Sequence, residues 1–242
     1  MIKRIRKTCV GAAEMLLPTS WMQSRRRTAT IFRRIHDQNI WDCNESVSGP
    51  GSTLQYTEEL RTSLPSLLRR LQIDTLLDLP CGDFGWLGTV ELPVKRVIGA
   101  DIVEALVLKN QATFGNAQRE FRVLDLTRDA LPPAEMLLCR DCMIHLPTEL
   151  TARALANICQ SQIRYAVMTT YPGGTNREIS LGDFYDINLR TAPFNLPAPT
   201  ESLKDWVPPF AERVLGVWSV AELRNHFARN PLRIGSVYYQ GK

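Results

Sequence analysis

Four aspartates in this sequence, Asp78, Asp101, Asp125 and Asp141, each stand at or near the end of a short, mostly apolar run. Runs of this length and character indicate strands that are buried on both faces of a parallel sheet. Ligands of open parallel sheets bind at the carboxyl ends of the strands. The spacing therefore predicts a ligand site lined by four carboxylates along one edge of a sheet.

A tight turn follows the first of these runs, in the sequence Asp78-Leu-Pro-Cys-Gly-Asp-Phe-Gly. Gly82 and Gly85 can adopt positive φ and allow a ligand to approach the backbone closely. Asp101 then ends the next predicted strand. A glycine turn after one strand and an acid at the end of the next is an arrangement that holds a nucleoside, because the acid accepts hydrogen bonds from the ribose hydroxyls.

The turn favours one nucleoside cofactor over another. It lacks the G-x-G-x-x-G spacing of a pyrophosphate site, and Asp83 would repel a phosphate. Asp78 and Asp83 instead suit a positively charged amino group, as in S-adenosyl-L-methionine (SAM). A NAD-dependent oxidoreductase is therefore the less favoured enzyme hypothesis. The alternative that is not an enzyme is a non-catalytic SAM-binding protein with a basic arm.

The same turn resembles motif I of the class I SAM-dependent methyltransferases, with Asp78-x-Pro80-x-Gly82-x-Phe84 in place of the usual acid followed by three alternating glycines. The stretches SVSGPGS, DLPCGDFGW, GADI, LDLT, CRDCMIHLP and NLRTAPFNLPAP resemble a small, poorly characterised subfamily of these enzymes. The resemblance implies SAM as cofactor. It also implies an α/β fold with a Rossmann-like, seven-stranded, mostly parallel sheet whose last strand is antiparallel.

The resemblance implies roles by position for a set of residues around the cofactor. In chain order from the turn, these are Asp78, Cys81, Gly82 and Asp83 for the methionine part, Asp101 and Ile102 for the ribose, Asp125 and Leu126 for the adenine, and Arg140 and Asp141 beside the sulfonium. Pro80 and Trp86 belong to the same turn region and complete the predicted cofactor site. Core packing is the alternative role for Trp86.

His145 is the first candidate for a catalytic base, and Asp141 is the second. Methyl transfer to a hydroxyl requires removal of a proton, and an unperturbed His has a pKa near ~6.5. A structural His at the start of the following helix is the alternative. The Asp/Asn-Pro-Pro-aromatic motif of nucleic-acid amino methyltransferases is replaced by Arg140-Asp-Cys-Met. We therefore expect an oxygen or nitrogen acceptor, with a small-molecule or sugar hydroxyl as the first hypothesis.

Cys139-x-x-Cys142 together with His145 superficially resembles a metal-binding set. The two cysteines would point to opposite faces if both lay in one strand, and no fourth ligand is evident. We therefore expect no metal. The chain has six cysteines and no secretory signal, which predicts reduced thiols and a cytoplasmic location.

Charge divides the chain unevenly. Residues 1–34 contain nine Lys or Arg and one acid, whereas the whole chain of 242 residues has a net charge of only +4. We predict a basic helical arm with a Ser/Gly-rich loop over residues 1–53 and a methyltransferase domain over 54–242. Nucleic acid or an anionic membrane surface are candidate partners of residues 1–34, and a solvated leader is the alternative. No segment is apolar enough to span a membrane.

Alternation of strands and helices predicts a doubly wound sheet. Two helical pieces, 54–64 and 65–71, precede it, and the predicted strands are 73–79, 95–101, 121–126, 136–141, 165–171, 213–218 and 232–240. The proline-rich segment 172–211 is too long for an ordinary connection, so we expect it to be functional, with the stretch 193–199 packing as a lid or wall. Within it, Asp183, Tyr185 and Asn188 are candidate contacts for the acceptor.

Overall fold

The computed structural model describes residues 19–241, and for residues 19–25 it describes the backbone alone. Predictions for residues 1–18 therefore lie outside the described residues. The helices are α1 (Thr19–Asp37), α2 (Glu58–Arg70), α3 (Glu104–Phe114), α4 (Thr148–Gln160) and α5 (Val220–Arg229). The strands are β1 (Thr75–Asp78), β2 (Arg96–Asp101), β3 (Arg119–Val123), β4 (Met136–Cys139), β5 (Tyr165–Thr170), β6 (Glu201–Lys204), β7 (Val214–Ser219), β8 (Leu232–Ile234) and β9 (Val237–Tyr239).

Seven strands form one sheet in the order β3-β2-β1-β4-β5-β7-β6. The five strands from β3 to β5 are parallel, and β7 runs antiparallel to both β5 and β6. The first strand along the chain, β1, therefore lies in the middle of the sheet. β2 and β3 extend the sheet to one side, and β4 to β7 extend it to the other. This arrangement confirms the predicted seven-stranded, mostly parallel sheet. It also brings the carboxyl ends of β1, β2, β3 and β4 to one edge.

Both faces of the sheet are covered, which explains why its central strands are apolar throughout. Leu77, Ile98 and Leu137 belong to a core that includes residues of α4 and α5. The alternate positions Leu76 and Val97 belong to a second core, which includes the buried leucines of α2. The successive side chains of each strand thus separate into two hydrophobic layers.

The structure differs from the sequence-based prediction in three places. The segment 232–240 was predicted as the last strand of the sheet, and this is wrong, because β8 and β9 fold back on each other as a separate hairpin with a turn at Gly235 (φ +56°). The pieces 54–64 and 65–71 form the single helix α2, which tolerates Pro65 in its interior. The sixth strand of the sheet, β6, lies inside the segment 172–211 and was not predicted.

Helix α1 and the loop that follows it lie over the edge of the sheet where the strands end. Thr28 and Ile35 are buried, whereas Arg33 and Arg34 on the opposite face are exposed. The helix is amphipathic, so its apolar side faces the domain and its basic side faces solvent. Among residues 19–241, every helix is too short or too polar to span a membrane.

Candidate functional site

A cleft lies at the carboxyl ends of β1 to β4. Its empty volume, counted out to the open mouth and including open solvent, is about 1100 Å³. All the residues predicted for cofactor binding and catalysis line it: Asp78, Pro80, Cys81, Gly82, Asp83, Trp86, Asp101, Ile102, Asp125, Leu126, Arg140, Asp141 and His145.

The glycine turn after β1 is held entirely by protein partners. The N–H of Gly82 donates to Asp101 Oδ2 at 3.1 Å, and the N–H of Asp83 donates to Ser48 Oγ at 3.0 Å. The N–H of Gly85 donates to Asp83 Oδ1 at 3.1 Å. The N–H groups of residues 81 and 84 also donate to backbone carbonyls. No amide of the turn is left to cradle a phosphate, which is what a pyrophosphate site requires.

Asp78 and Asp101 lie side by side at the ends of β1 and β2, and both are buried. Burial and the neighbouring charge of Asp101 raise the pKa of Asp78 well above its ordinary value. Burial also raises the pKa of Asp101, although backbone N–H groups from Val103 and Gly82 donate to it and partly offset this effect. A cationic group bound next to Asp78 would favour its ionised form.

Asp125 follows β3, and one of its carboxylate oxygens accepts two hydrogen bonds whereas the other accepts none. Oδ1 accepts hydrogen bonds from the N–H and the hydroxyl of Thr127, at 2.9 and 2.6 Å. Oδ2 is buried without a hydrogen-bond partner, and Arg128 Nε lies 3.6 Å from it. A buried acceptor of this kind suits the amino group of an adenine, because it would otherwise remain unsatisfied.

Arg140, Asp141, Asp205 and Arg213 form a compact group of two positive and two negative side chains, which we call the charge cluster. Arg140 donates to Asp205 from Nε at 3.0 Å and from Nη2 at 2.9 Å. Arg213 donates from Nη1 to Asp141 Oδ1 at 2.8 Å and from Nε to the carbonyl oxygen of Asp205 at 2.7 Å. Arg140 Nη2 also donates to the carbonyl of Gly51 at 2.6 Å, which ties the Ser/Gly-rich loop to the end of β4.

The charge cluster determines what Asp141 can do. Burial alone would raise the pKa of Asp141, but the guanidinium groups of Arg213 and Arg140 outweigh this effect and hold that pKa below its ordinary value. A carboxylate with a lowered pKa and two cationic neighbours is a weak proton acceptor. The geometry therefore favours His145 over Asp141 as the base and makes Asp141 a fixed negative charge at the cleft.

His145 ends a short 3₁₀ turn, Met143–His145, between β4 and α4. Its Nδ1 lies 2.9 Å from the carbonyl oxygen of Asp183, and its ring stacks on Trp41 with centroids 4.8 Å apart. Burial lowers the pKa of His145 below its ordinary value, although the Asp183 carbonyl and the charge of Asp141 act in the opposite direction. A pKa lowered in this way favours the neutral ring at pH 7, which is able to accept a proton.

The segment before β1 supplies a wall of the cleft. Ser46 Oγ donates to Asp83 Oδ2 at 2.7 Å, and a Cβ at Gly82 would lie 2.2 Å from Ser48 Oγ. The Ser/Gly-rich loop therefore packs directly on the glycine turn. Further cleft residues come from α1 and the segment after it: Thr28, Phe32, His36 and Trp41. Of these, Phe32 belonged to the helically spaced apolar residues that predicted α1.

The three residues of the long segment 172–211 that were expected to contact an acceptor, Asp183, Tyr185 and Asn188, do not line the cleft, and Asp183 instead meets His145 through its backbone carbonyl. Tyr185 is buried, and Asn188 Nδ2 donates to the carbonyl of Pro172 at 3.0 Å, so both stabilise the segment itself. β4 ends at Cys139, so the argument from strand alternation does not extend to Cys142, which lines the cleft. Within the described residues, His, Cys and acidic side chains form no group that could hold a metal ion.

No family model matches the sequence, and no curated protein matches it. Solved structures do match. Magnesium protoporphyrin IX methyltransferase (ChlM) from Synechocystis PCC 6803 with bound SAH is 13% identical, covers 82% of this chain and 100% of that chain, and has a TM-score of 0.56. The same protein with bound SAM is 16% identical, with coverages of 78% and 96% and a TM-score of 0.54.

The N-methyltransferase NodS from Bradyrhizobium japonicum WM9, in complex with S-adenosyl-L-homocysteine (SAH), is 13% identical, covers 81% of this chain and 96% of that chain, and has a TM-score of 0.54. A match to the methyltransferase domain of bacterial CtHen1 spans 66% of that chain and 48% of this one, with a TM-score of 0.43. At these identities the likeness concerns the fold. The strand order and the matches with TM-scores above 0.5 show that this chain has the Rossmann-like fold of the class I methyltransferases.

Proposed function

We propose that this protein is a SAM-dependent methyltransferase that transfers a methyl group to an oxygen or nitrogen of its acceptor, with a small-molecule or sugar hydroxyl as the first candidate. The observation that carries the proposal is the set of strand-end carboxylates around a glycine turn whose amides are already occupied. ChlM and NodS, which share the fold, have been solved with SAM or SAH bound.

The charge of the cleft fits SAM better than NAD. Five carboxylates line it, from Asp78, Asp83, Asp101, Asp125 and Asp141, and Arg140 is already bonded to Asp205. SAM carries a positive ammonium and a positive sulfonium, whereas the pyrophosphate of NAD would face this negative charge without a free amide or guanidinium. Asp78 and Asp83 would hold the amino group, Asp101 the ribose and Asp125 the adenine amine.

The residues at the other end of the cleft fit proton removal from a hydroxyl. Bound SAM would supply an electrophilic methyl group whose bonding electrons remain on sulfur as SAH forms. The neutral ring of His145 has a free lone pair on Nε2, because Nδ1 is engaged with the Asp183 carbonyl. His145 would take the acceptor proton as the new bond to the methyl forms, and Asp141 would stabilise the resulting imidazolium. The aromatic surface of Trp41 and Phe32 would shield the reaction from water.

Calorimetric titration of the purified protein with SAM, SAH and NAD tests the cofactor assignment. We expect micromolar binding of SAM and SAH and no binding of NAD. NAD binding alone would overturn the interpretation of the glycine turn. SAM binding followed by no methyl transfer to any hydroxyl or amine in a broad acceptor screen would favour the alternative of a non-catalytic SAM-binding protein.

The outer face of α1 supports a second, separate proposal, that the arm binds a polyanion. Arg26, Arg27, Arg33 and Arg34 are exposed on this face, and residues 1–34 have a net charge of +8 from nine basic residues and one acid. Binding through such a face would weaken steeply with salt. Parallel titrations of an RNA oligonucleotide and of anionic vesicles between about 50 and 200 mM salt would identify the partner class, and no binding to either would refute the proposal.

A further inference from the structure

The segment from Ser180 to Tyr185, which we call the clasp, runs alongside the turn that ends at His145. The N–H of Gly182 donates to the carbonyl of His145 at 2.9 Å, and the N–H of Tyr185 donates to the carbonyl of Ile144 at 3.2 Å. Between these two bonds, the carbonyl of Asp183 meets Nδ1 of the His145 ring at 2.9 Å. The clasp therefore holds both the backbone and the side chain of this residue.

The contact with Asp183 selects one tautomer of the ring. A backbone carbonyl oxygen can only accept a hydrogen bond, so Nδ1 of His145 must carry the proton. In a neutral ring this leaves the lone pair on Nε2. The clasp thus determines which nitrogen can accept a proton. The side chain of Asp183 is turned the other way and accepts from the N–H of Ser180 at 3.2 Å, which stiffens the clasp itself.

Aromatic rings limit the rotation of His145. Trp41 stacks on it at a centroid distance of 4.8 Å with an interplanar angle of 24°. Phe184, which belongs to the clasp, lies at 6.2 Å with an angle of 56°. Gly49 (φ +92°) packs on Trp41, since a Cβ there would lie 3.4 Å from Trp41 Cβ. The ring is therefore enclosed by the clasp and by the segment that follows α1.

Helix α1 packs on the clasp at a glycine that tolerates no side chain. Gly182 has φ +92°, a conformation that L-residues rarely adopt. A Cβ at this position would lie 2.9 Å from Ile35 Cδ1 and 3.2 Å from Ile31 Cγ2. Ile35 is buried, so it cannot move aside easily. The contact of Ile35 with Gly182 is thus a direct mechanical link from α1 to the clasp and through it to His145.

From these contacts we infer that the clasp is a positioning element, which fixes His145 as the tautomer with its proton on Nδ1 and depends on α1 to stay in place. The inference rests on the proposed role of His145 as the base. Gly182 and Ile35 would act through His145 and would touch neither cofactor nor acceptor. The arm predicted as an appendage would thereby control the orientation of the base.

The charged groups around His145 set the direction of the expected change in its pKa. Asp141 favours the imidazolium, Arg213 opposes it, and burial has the largest effect and lowers the pKa. Displacing the clasp would hydrate the ring and remove the fixed acceptor for Nδ1. The pKa should then rise toward its ordinary value of about 6.5, and the two neutral tautomers should interconvert.

The test is a ¹⁵N NMR titration of His145 in the full chain, with Gly182→Ala and Ile35→Ala as perturbations and Gly173→Ala as control. Gly173 lies in the same long segment, with open space where its Cβ would be. We expect a protonated Nδ1 and an unprotonated Nε2 in the unmodified protein and in the control. Averaged nitrogen shifts and a raised pKa are expected for both perturbing variants.

Ile35→Ala leaves glycine at position 182 and adds no backbone strain there. It is therefore the variant to use if Gly182→Ala fails to fold. An unchanged tautomer and pKa in folded Ile35→Ala would overturn the inference, as would a protonated Nε2 in the unmodified protein. SAH binding is measured on the same samples. If the variants leave the tautomer of His145 unchanged while the unmodified protein binds SAH, the positioning role of the clasp is refuted and the proposed function is not. If the unmodified protein does not bind SAH, the proposed function is refuted.

Discussion

Replacing Asp205 with asparagine tests whether the charge cluster holds the carboxyl ends of the strands together. The side chain of Asp205 has 0% exposure and accepts hydrogen bonds from Arg140 at 3.0 and 2.9 Å, while its carboxylate also lies 3.2 Å from Arg213 Nε. Asparagine has nearly the same shape but no charge. The variant would leave two buried guanidinium groups facing Asp141 as the one carboxylate of the cluster.

The expected cost follows from the burial of these groups. Removing one partner from a buried ionic cluster costs about 3–5 kcal/mol, because the remaining charge is left uncompensated. In a chain of this size each kcal/mol lowers Tm by about 2–4 °C, so Asp205→Asn should lower Tm by about 6–20 °C. Urea unfolding, with the slope compared between variants, would measure the free energy directly.

Glu201→Gln is the matched control because Glu201 lies on β6, close to Asp205 in sequence, and also pairs with an arginine. Its partner Arg70 is 58% exposed and Glu201 itself is 29% exposed. An exposed ion pair of this kind contributes up to about 1 kcal/mol. If Asp205→Asn lowered the free energy of unfolding no more than Glu201→Gln does, the claim that the charge cluster holds the carboxyl ends of the strands together would be wrong.

Three further predictions concern the cleft. Because burial raises the pKa of Asp78 well above its ordinary value, SAM affinity should increase as pH rises through that pKa, with proton release on binding. Calorimetry in buffers of different ionisation enthalpy would measure the protons released, and binding without proton release would contradict the prediction. Gly82→Ala places a Cβ 2.2 Å from Ser48 Oγ and should weaken SAM binding roughly tenfold, whereas Gly173→Ala should not change it. His145→Gln should keep SAM affinity in titrations but lose at least ~100-fold in turnover once an acceptor is found, and unimpaired turnover would exclude it as the base.

Local patterns were sufficient to predict that several acids gather at one end of the sheet. Asp78 and Asp101 end β1 and β2, Asp125 follows β3 within two residues, and parallel strands in one sheet must bring their carboxyl ends to the same edge. The positions of Asp78, Asp101 and Asp125 therefore followed from sequence order alone. Their electrostatic state did not, because the pKa of Asp78 depends on burial and on its distance from Asp101, which no spacing in the sequence encodes.

Elements defined by distant contacts escaped prediction for a physical reason. β6 lies at the edge of the sheet and alternates half-buried with exposed residues, so it lacks the apolar run by which buried strands are recognised. Asp205 and Arg213 come from the sequence around β6 and β7, yet they complete a cluster begun by Arg140 and Asp141 after β4. A polar residue in a loop gives no local sign of a partner more than sixty residues away.

The division of the chain at residue 53 stays a prediction, but composition is a poor guide to what the preceding segment does. High positive charge suggested an appendage for an external partner. In the structure, Phe32 lines the cleft, Ile35 packs on Gly182, and Ser48 bonds the glycine turn. Arg26, Arg27, Arg33 and Arg34 are exposed on the outer face of α1, so their charge describes one side of a helix whose other side faces the cleft. A helix of this kind can join an external surface to the cleft, because its exposed face carries the arginines and its inner face contacts the residues of the cleft.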